Sequence, residues 1–108
     1  MTTAKKPSLY SAADTARVIS RRLRKAGFTM ADTSDRYRWT EGFYVTRVGC
    51  SKTVSVDYHC EARPGSVFYT DEVRKGRVAI MAAVRGFLKS VGYPVPDDGP
   101  IWIECERG

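Results

Sequence analysis

Apolar and polar residues alternate most regularly in the segment 53–60, TVSVDYHC. That period predicts a β-strand with one buried face. A turn at residues 49–52 lets residues 43–48 fold back as an antiparallel partner strand. Because an isolated hairpin is only marginally stable in water, other elements must cover its apolar face. The predicted register pairs Val45 with Val56 and Phe43 with Tyr58.

A helical period before the hairpin predicts a first helix over residues 12–26. Its apolar residues recur at spacings of four, three, four and three from Ala12 to Ala26. Ser11 is the predicted N-cap. Gly27 provides the left-handed residue of a Schellman stop, and Phe28 closes back on the last turn.

A second helix is predicted after the hairpin, with Thr70 as its N-cap and Gly92 as its stop. Its apolar stripe is broad, so we expect it to be the main core helix. Arg77 interrupts that stripe. Its guanidinium must therefore reach solvent or find a carboxylate or carbonyl.

Alternation returns at residues 101–106, which predicts a third strand reached through the second helix. The order predicts an α+β fold, a two-layer α-β-β-α-β sandwich with a three-stranded, mainly antiparallel sheet and both helices on one face. We expect the third strand beside residues 43–48, antiparallel, which keeps the crossover right-handed. Parallel pairing with residues 53–60 is the alternative. Residues 1–10 are expected to form a flexible arm, and residues 11–108 a single globular domain.

The composition of the 108 residues narrows the class of protein. No apolar run approaches the roughly 18 residues of a membrane span, and the N-terminus lacks the apolar core of a signal peptide. We therefore expect a cytoplasmic protein without a membrane partner. Cys50, Cys60 and Cys105 are an odd number of cysteines with no close pair, which predicts reduced thiols.

Positive charge is concentrated in the first half of the chain. Residues 1–52 hold 11 Lys and Arg against 4 acids, whereas residues 53–108 hold 7 against 8. This asymmetry indicates a surface that meets an acidic partner, although it also fits a role in solubility alone.

The polar face of the first helix carries much of that charge. Arg17, Arg21 and Arg24 stand at i, i+4 and i+7, with Lys25 beside them and Arg22 on the flank. Such a row is what a phosphate-contacting surface requires. The alternative is a solvated face, because cations are favoured near a helix C-terminus.

Basic and aromatic residues alternate at Arg36, Tyr37, Arg38 and Trp39, as on surfaces that contact a backbone and stack on a base. Alternatively, Tyr37 and Trp39 extend the first strand and pack under the helices, as the usual burial of aromatic residues favours. The candidate nucleic-acid-binding residues are Arg17, Arg21, Arg22, Arg24, Lys25, Arg36 and Arg38, assisted by Lys5 and Lys6.

The sheet face away from the helices is the second candidate surface. It is predicted to carry Tyr44, Val48, His59 and Trp102, which is unusually apolar for a face left in water. Tyr44, His59 and Trp102 are therefore candidate contacts for a partner protein or for a second copy in a homodimer. Simple partial exposure of the aromatic rings is the alternative.

The sequence gives only weak indications of a catalytic site or a metal site. Ser55 and His59 are four residues apart on one strand, about 13 Å, which is too far for the hydrogen bond of a nucleophilic triad. The side chains with metal-ligating atoms are Cys50, His59, Cys60 and Cys105. They lack the close spacing of a zinc knuckle. We therefore expect that the protein is not an enzyme and that it binds no metal, cofactor or small-molecule substrate.

The runs SAADTARVISRRLRKAGFTMADTSDRYRWTEGFYVTRVG and YPVPDDGPIWIECERG resemble small proteins of unassigned activity encoded by phages of actinobacteria. The resemblance implies expression in an infected bacterial cytoplasm and carries over no site residue. The sequence thus predicts a non-enzymatic accessory protein that binds nucleic acid through the basic helix face. The alternative is a module that binds a host protein, or itself, through the open sheet face.

Overall fold

The computed structural model describes residues 7–35, 37–61 and 65–108. The α+β class and the predicted order of helices and strands are confirmed. The elements in chain order are α1 (Ala12–Lys25), β1 (Gly42–Arg47), β2 (Thr53–His59), α2 (Asp71–Ser90) and β3 (Ile101–Glu104).

Both helices have the caps that the sequence predicts. The hydroxyls of Ser11 and Thr70 each accept a hydrogen bond from an amide in the first turn. At the end of α1, Gly27 has a φ of 95°, and the Phe28 amide donates to the Leu23 carbonyl at 3.0 Å. This is the Schellman stop, which satisfies a carbonyl that the helix itself leaves unpaired. The corresponding residues at the end of α2 are Gly92, Tyr93 and Leu88.

The central strand of the sheet is β2, and the strand order is β1-β2-β3. Both neighbours run antiparallel to it. The predicted position of β3 beside β1 is therefore wrong, and the parallel alternative had the right neighbour but the wrong direction. The predicted hairpin register is confirmed, with Val45 opposite Val56 and Phe43 opposite Tyr58.

The connector that follows α1 explains why β3 does not lie beside β1. The Ala31 amide donates to the Phe43 carbonyl, and the Phe43 amide donates to the Thr29 carbonyl, each at 2.8 Å. These bonds occupy the N–H and C=O groups of Phe43 at the outer edge of β1, which another strand would need for pairing. The free edge of β2 remains, and there Ile103 pairs with Val54.

The core lies between one face of the sheet and both helices. From the strands it takes the side chains that alternate to one side: Phe43, Val54, Val56, Tyr58, Ile101 and Ile103. From α1 it takes Ala12, Thr15, Ile19 and Leu23. Thr15 was not expected in the core, and its hydroxyl is satisfied by the Ser8 carbonyl at 3.2 Å. Ala26, at the predicted end of the stripe, is exposed.

Less of α2 is buried than the apolar stripe predicts. Only Val84 and Leu88 are fully buried, and Val78 is 64% exposed. The expectation that this is the main core helix is wrong, because α1 contributes more buried residues. Gly76 and Gly86 also lie inside α2, where glycine costs about 0.5–1 kcal/mol relative to alanine. A Cβ at either position would meet no atom within 4 Å.

The two ends of the described chain meet beside the start of α1. The Glu106 amide donates to the Leu9 carbonyl at 2.7 Å, and the Ala12 amide donates to the Arg107 carbonyl at 2.8 Å. Residues 1–6 of the predicted arm lie outside the described residues, as do residues 62–64 between β2 and α2. Neither helix is long and apolar enough to cross a membrane, as judged over the described residues.

Candidate nucleic-acid interface

The basic face of α1 comprises Arg17, Arg21, Arg24 and Lys25. All four side chains are exposed, on the side of the helix opposite its buried residues. The helix rises 1.5 Å per residue, so the charges extend over about 10 Å. The structure thus brings these predicted residues onto one surface.

Most of this charge is available to a ligand. Arg17 pairs with Asp14 at 2.8 Å, but both side chains are 72% exposed, and an exposed pair is worth only about 0–1 kcal/mol. Across residues 7–35, 37–61 and 65–108, no carboxylate forms an ion pair with Arg21, Arg24 or Lys25. A phosphate can therefore approach without displacing a strong partner.

Arg22 is exposed on the flank of α1 and interacts with Tyr93, which follows α2. Burial raises the pKa of the Tyr93 hydroxyl, and the charge and hydrogen bond of Arg22 oppose that rise. Tyr93 is 3% exposed. Arg22 therefore helps to hold α1 against the segment after α2, which separates its role from that of the basic face.

The structure does not join the second basic segment to α1. Arg36, Lys5 and Lys6 lie outside the described residues. Arg38 is exposed, and its amide donates to the Asp35 carbonyl at 3.2 Å. No described contact links it to the basic face of α1.

Trp39 occupies a place that the sequence did not indicate. Its ring lies 5.1 Å from the Tyr44 ring and 5.5 Å from the His59 ring, on the sheet face away from the core. Tyr37 is 83% exposed. Neither residue extends β1, which begins at Gly42, so the expectation that they pack under the helices is wrong.

The open sheet face comprises Tyr44, His59 and Trp102. Trp39 shields the first two, which are half-buried, whereas Trp102 is 53% exposed. Trp102 pairs with Ser55 of the central strand, so no large neighbour stands opposite it. The exposed apolar surface is therefore centred on one tryptophan.

A polar cluster lies on β2 just past Val56, the residue that pairs with the first residue of β3. Asp57 accepts hydrogen bonds from the Tyr44 hydroxyl at 3.2 Å and from the Arg77 guanidinium at 3.3 Å. Arg77 thus finds a carboxylate, one of the outcomes expected from the sequence. Burial and the Asp57 carboxylate raise the pKa of Tyr44, which keeps it a proton donor. The cluster ties α2 to the sheet beside a pocket of about 240 Å³.

The cysteines are dispersed, with Cys50 exposed, Cys60 half-buried and Cys105 buried. All three are free. Among the described residues no three His, Cys, Asp or Glu side chains are grouped so that they could hold a metal ion. Asp57 accepts hydrogen bonds from Tyr44 and Arg77, so the structure gives no support to a catalytic triad that includes Ser55.

We expect Tyr58 to make the fold sensitive to alkaline pH. Its hydroxyl donates to Glu41 at 3.0 Å, and burial, reinforced by Glu41, raises the pKa of Tyr58 to about 12. An unfolded tyrosine has a pKa of about 10. Between these values the unfolded chain loses the proton while the folded chain keeps it, so stability is lost as pH rises through this window.

The measurement is urea unfolding of the wild type and of Tyr58→Phe from pH 8 to pH 12. The free energy of unfolding of the wild type should fall more steeply above pH 10 than that of the variant. The difference in the free energy of unfolding between the two chains at pH 8 provides the baseline, because residue 58 is uncharged in both chains at that pH. Parallel curves over the whole range would contradict the assignment.

Comparison of the chain with protein-family models, with curated proteins and with solved structures finds no match. The resemblance to phage-encoded proteins therefore stays a prediction, and the function has to be argued from the surfaces of the molecule.

Proposed function

We propose that this protein binds nucleic acid through the basic face of α1. The observation that carries the proposal is that Arg21, Arg24 and Lys25 are exposed together without a carboxylate partner among the described residues. A buried stripe on the other side of α1 fixes their orientation. The protein acts by binding, without catalysis.

The chemistry of this face fits the phosphate backbone. Each Lys or Arg that neutralises a phosphate releases condensed counterions, so affinity falls as salt rises. The row of about 10 Å is long enough to contact more than one phosphate of a strand. Such contacts position the protein but carry no sequence information. Binding should therefore depend weakly on sequence and steeply on salt.

The test is a titration of labelled duplex DNA, single-stranded DNA and RNA with the full chain at several salt concentrations. The wild type should bind at least one of these ligands, and the logarithm of its affinity should fall linearly with the logarithm of salt concentration. Replacing Arg17, Arg21 and Arg24 with alanine should reduce the magnitude of that slope by about 2–3.

A matched control removes the same charge elsewhere. Arg47, Lys52 and Arg74 are exposed and lie outside α1. Their combined replacement by alanine should leave the slope close to that of the wild type. If both triple variants lose the same amount of slope, the nucleic acid is attracted to the net charge of the protein alone. If the wild type does not bind at low salt, the proposal is rejected.

A second candidate function is supported by the 53% exposure of Trp102. The open sheet face would then bind a host protein or a second copy, with Trp102 as the buried anchor. Binding through this face should be nearly indifferent to salt, because its contacts are apolar. Trp102→Ala should abolish such binding, whereas the α1 triple variant should retain it.

The proposed setting is the cytoplasm of an infected bacterial host, and the resemblance of the sequence is its support. In this proposal the protein is a phage accessory protein that needs no cofactor, metal or small-molecule substrate. Its ligand is nucleic acid in the first candidate function and a protein in the second.

A further inference from the structure

An open cleft lies at the C-terminal end of the basic face of α1. Its volume is about 560 Å³, which falls in the range of about 300–1,000 Å³ that is usual for ligand pockets in proteins. The cleft is lined by Arg24, Phe28, Met30 and residues 31–34 of the connector that follows α1. Arg24 belongs to both the basic face and the cleft. A ligand that is held on one of these surfaces therefore lies beside the other.

The floor of the cleft is apolar and is held in place by the core. The Phe28 ring is half-buried, and its centroid lies 5.6 Å from that of Phe43 and 5.5 Å from that of Phe87. Met30 is also half-buried and packs against the core. Each of the two floor residues therefore leaves part of an apolar side chain open to the cleft. An aromatic ligand can stack on such a surface without rearranging the core.

Hydrogen bonds fix the wall of the cleft. The Asp32 amide donates to the Thr40 hydroxyl at 2.7 Å, and the Thr40 amide donates to the Asp32 carbonyl at 3.2 Å. The two bonds that Thr29 and Ala31 share with Phe43 hold the same segment against β1. Because this wall is already ordered, a ligand that enters the cleft loses little affinity to the ordering of the chain.

The charges of the cleft favour a base over a phosphate. Of the described residues that line it, Arg24 and Asp32 are charged at neutral pH. Ser34 donates to Asp32 Oδ1 through its hydroxyl at 2.6 Å and through its amide at 3.0 Å, and these bonds lower the pKa of Asp32. The ionised carboxylate repels a phosphate but accepts a hydrogen bond from an N–H group, which every base carries on its pairing edge. A phosphate is therefore favoured at Arg24, and a base is favoured inside the cleft.

We propose that this cleft holds one unpaired base of a single-stranded nucleic acid whose phosphates lie on the basic face of α1. This inference rests on the proposed nucleic-acid binding and adds that the ligand is a single strand. The bases of a duplex are paired and stacked, so a base can enter the cleft only if it is first extruded. Stacking on Phe28 tolerates any base, because every base has a π-face. Binding should therefore still depend weakly on sequence.

The first test compares two single strands that carry the same charge. One is an oligonucleotide of thymidines, and the other has the same backbone and length but lacks the bases. The full wild-type chain should bind the thymidine strand at least about fivefold more tightly at the same salt concentration, because a stacked base adds affinity that phosphate contacts do not supply.

Phe28→Leu tests whether the cleft supplies this gain in affinity. Leucine keeps an apolar side chain in the core but removes the ring on which a base would stack. We expect the variant to bind the two strands with affinities within about twofold of each other. The matched control is Phe87→Leu, because Phe87 is half-buried against Phe28 but does not line the cleft. It should keep the gain of the wild type. Urea unfolding establishes that both variants are folded.

The failure of this proposal can be distinguished from the failure of the proposed function. If the wild type binds both single strands equally and its affinity falls with salt, the base site is rejected and the basic face remains the binding surface. A gain that survives Phe28→Leu also rejects the base site, because the base then lies elsewhere on the protein. If the wild type binds a duplex but neither single strand, this proposal alone fails. If it binds no nucleic acid at low salt, both fail.

Discussion

Gly42→Ala is expected to lower the free energy of unfolding by about 3–5 kcal/mol, a large cost for one methyl group. Gly42 has a φ of 152°, which L-residues rarely adopt. An added Cβ would lie 2.5 Å from the Ala31 nitrogen and the Met30 carbonyl carbon, and 2.8 Å from the Thr29 oxygen. These are backbone atoms, so no side-chain rotation relieves the clash.

The clash falls on the connector that pairs with β1. Moving residues 29–31 away would break the two hydrogen bonds that they share with Phe43. The variant must therefore either strain β1 or expose its edge. Chemical denaturation measures the loss.

Gly27→Ala is the matched control for Gly42→Ala. Gly27 also has a positive φ, 95°, but a Cβ there would meet no atom within 4 Å. Its cost comes from backbone strain alone and should be about 1 kcal/mol. Similar losses in the two variants would show that the connector does not hold Gly42 tightly.

Leu23→Ala is expected to lower the free energy of unfolding by about 2–5 kcal/mol. The side chain is fully buried between α1 and the sheet, among the largest side chains of the core. Truncation leaves a cavity, and it also removes the apolar contact that accompanies the Schellman stop at Phe28.

Val18→Ala provides the control for this substitution on the same helix. Val18 is 36% exposed and lies away from the core, so its replacement should change stability by no more than about 0.5 kcal/mol. A loss at Val18 comparable to that at Leu23 would contradict the orientation of α1, and with it the placement of the basic face.

The features that the sequence predicted well are those that local chemistry determines. The hairpin register follows from alternation along β2, and the ends of both helices follow from Ser11, Gly27, Thr70 and Gly92. The order of the sheet was predicted wrongly because it depends on residues 29–31, the start of a connector that has no strand periodicity. Only its backbone bonds to Phe43 reveal that it occupies one edge of the sheet.

The candidate site likewise contains residues that local chemistry places and residues that it does not. A helical period is enough to place Arg17, Arg21 and Arg24 on one face, because α1 is regular. The position of Trp39 was not predictable, since the connector between α1 and β1 has no period that would orient a ring. The one signal in the sequence for this position was that Trp39 precedes a strand whose outward-facing residues include Tyr44. The same signal also fits burial of Trp39 under the helices.

The contact between the start of α1 and the residues after β3 has a consequence for the order of events during synthesis. The Ser11 hydroxyl donates to the Gly108 carbonyl, a contact that spans 97 residues. The ribosome makes α1 before it makes residues 106–108, which follow β3 and contact the start of α1. A ribosome adds about 5–20 residues per second, so the start of α1 lacks this contact for several seconds. The contact that holds the start of α1 can therefore form only after residues 106–108 have been made.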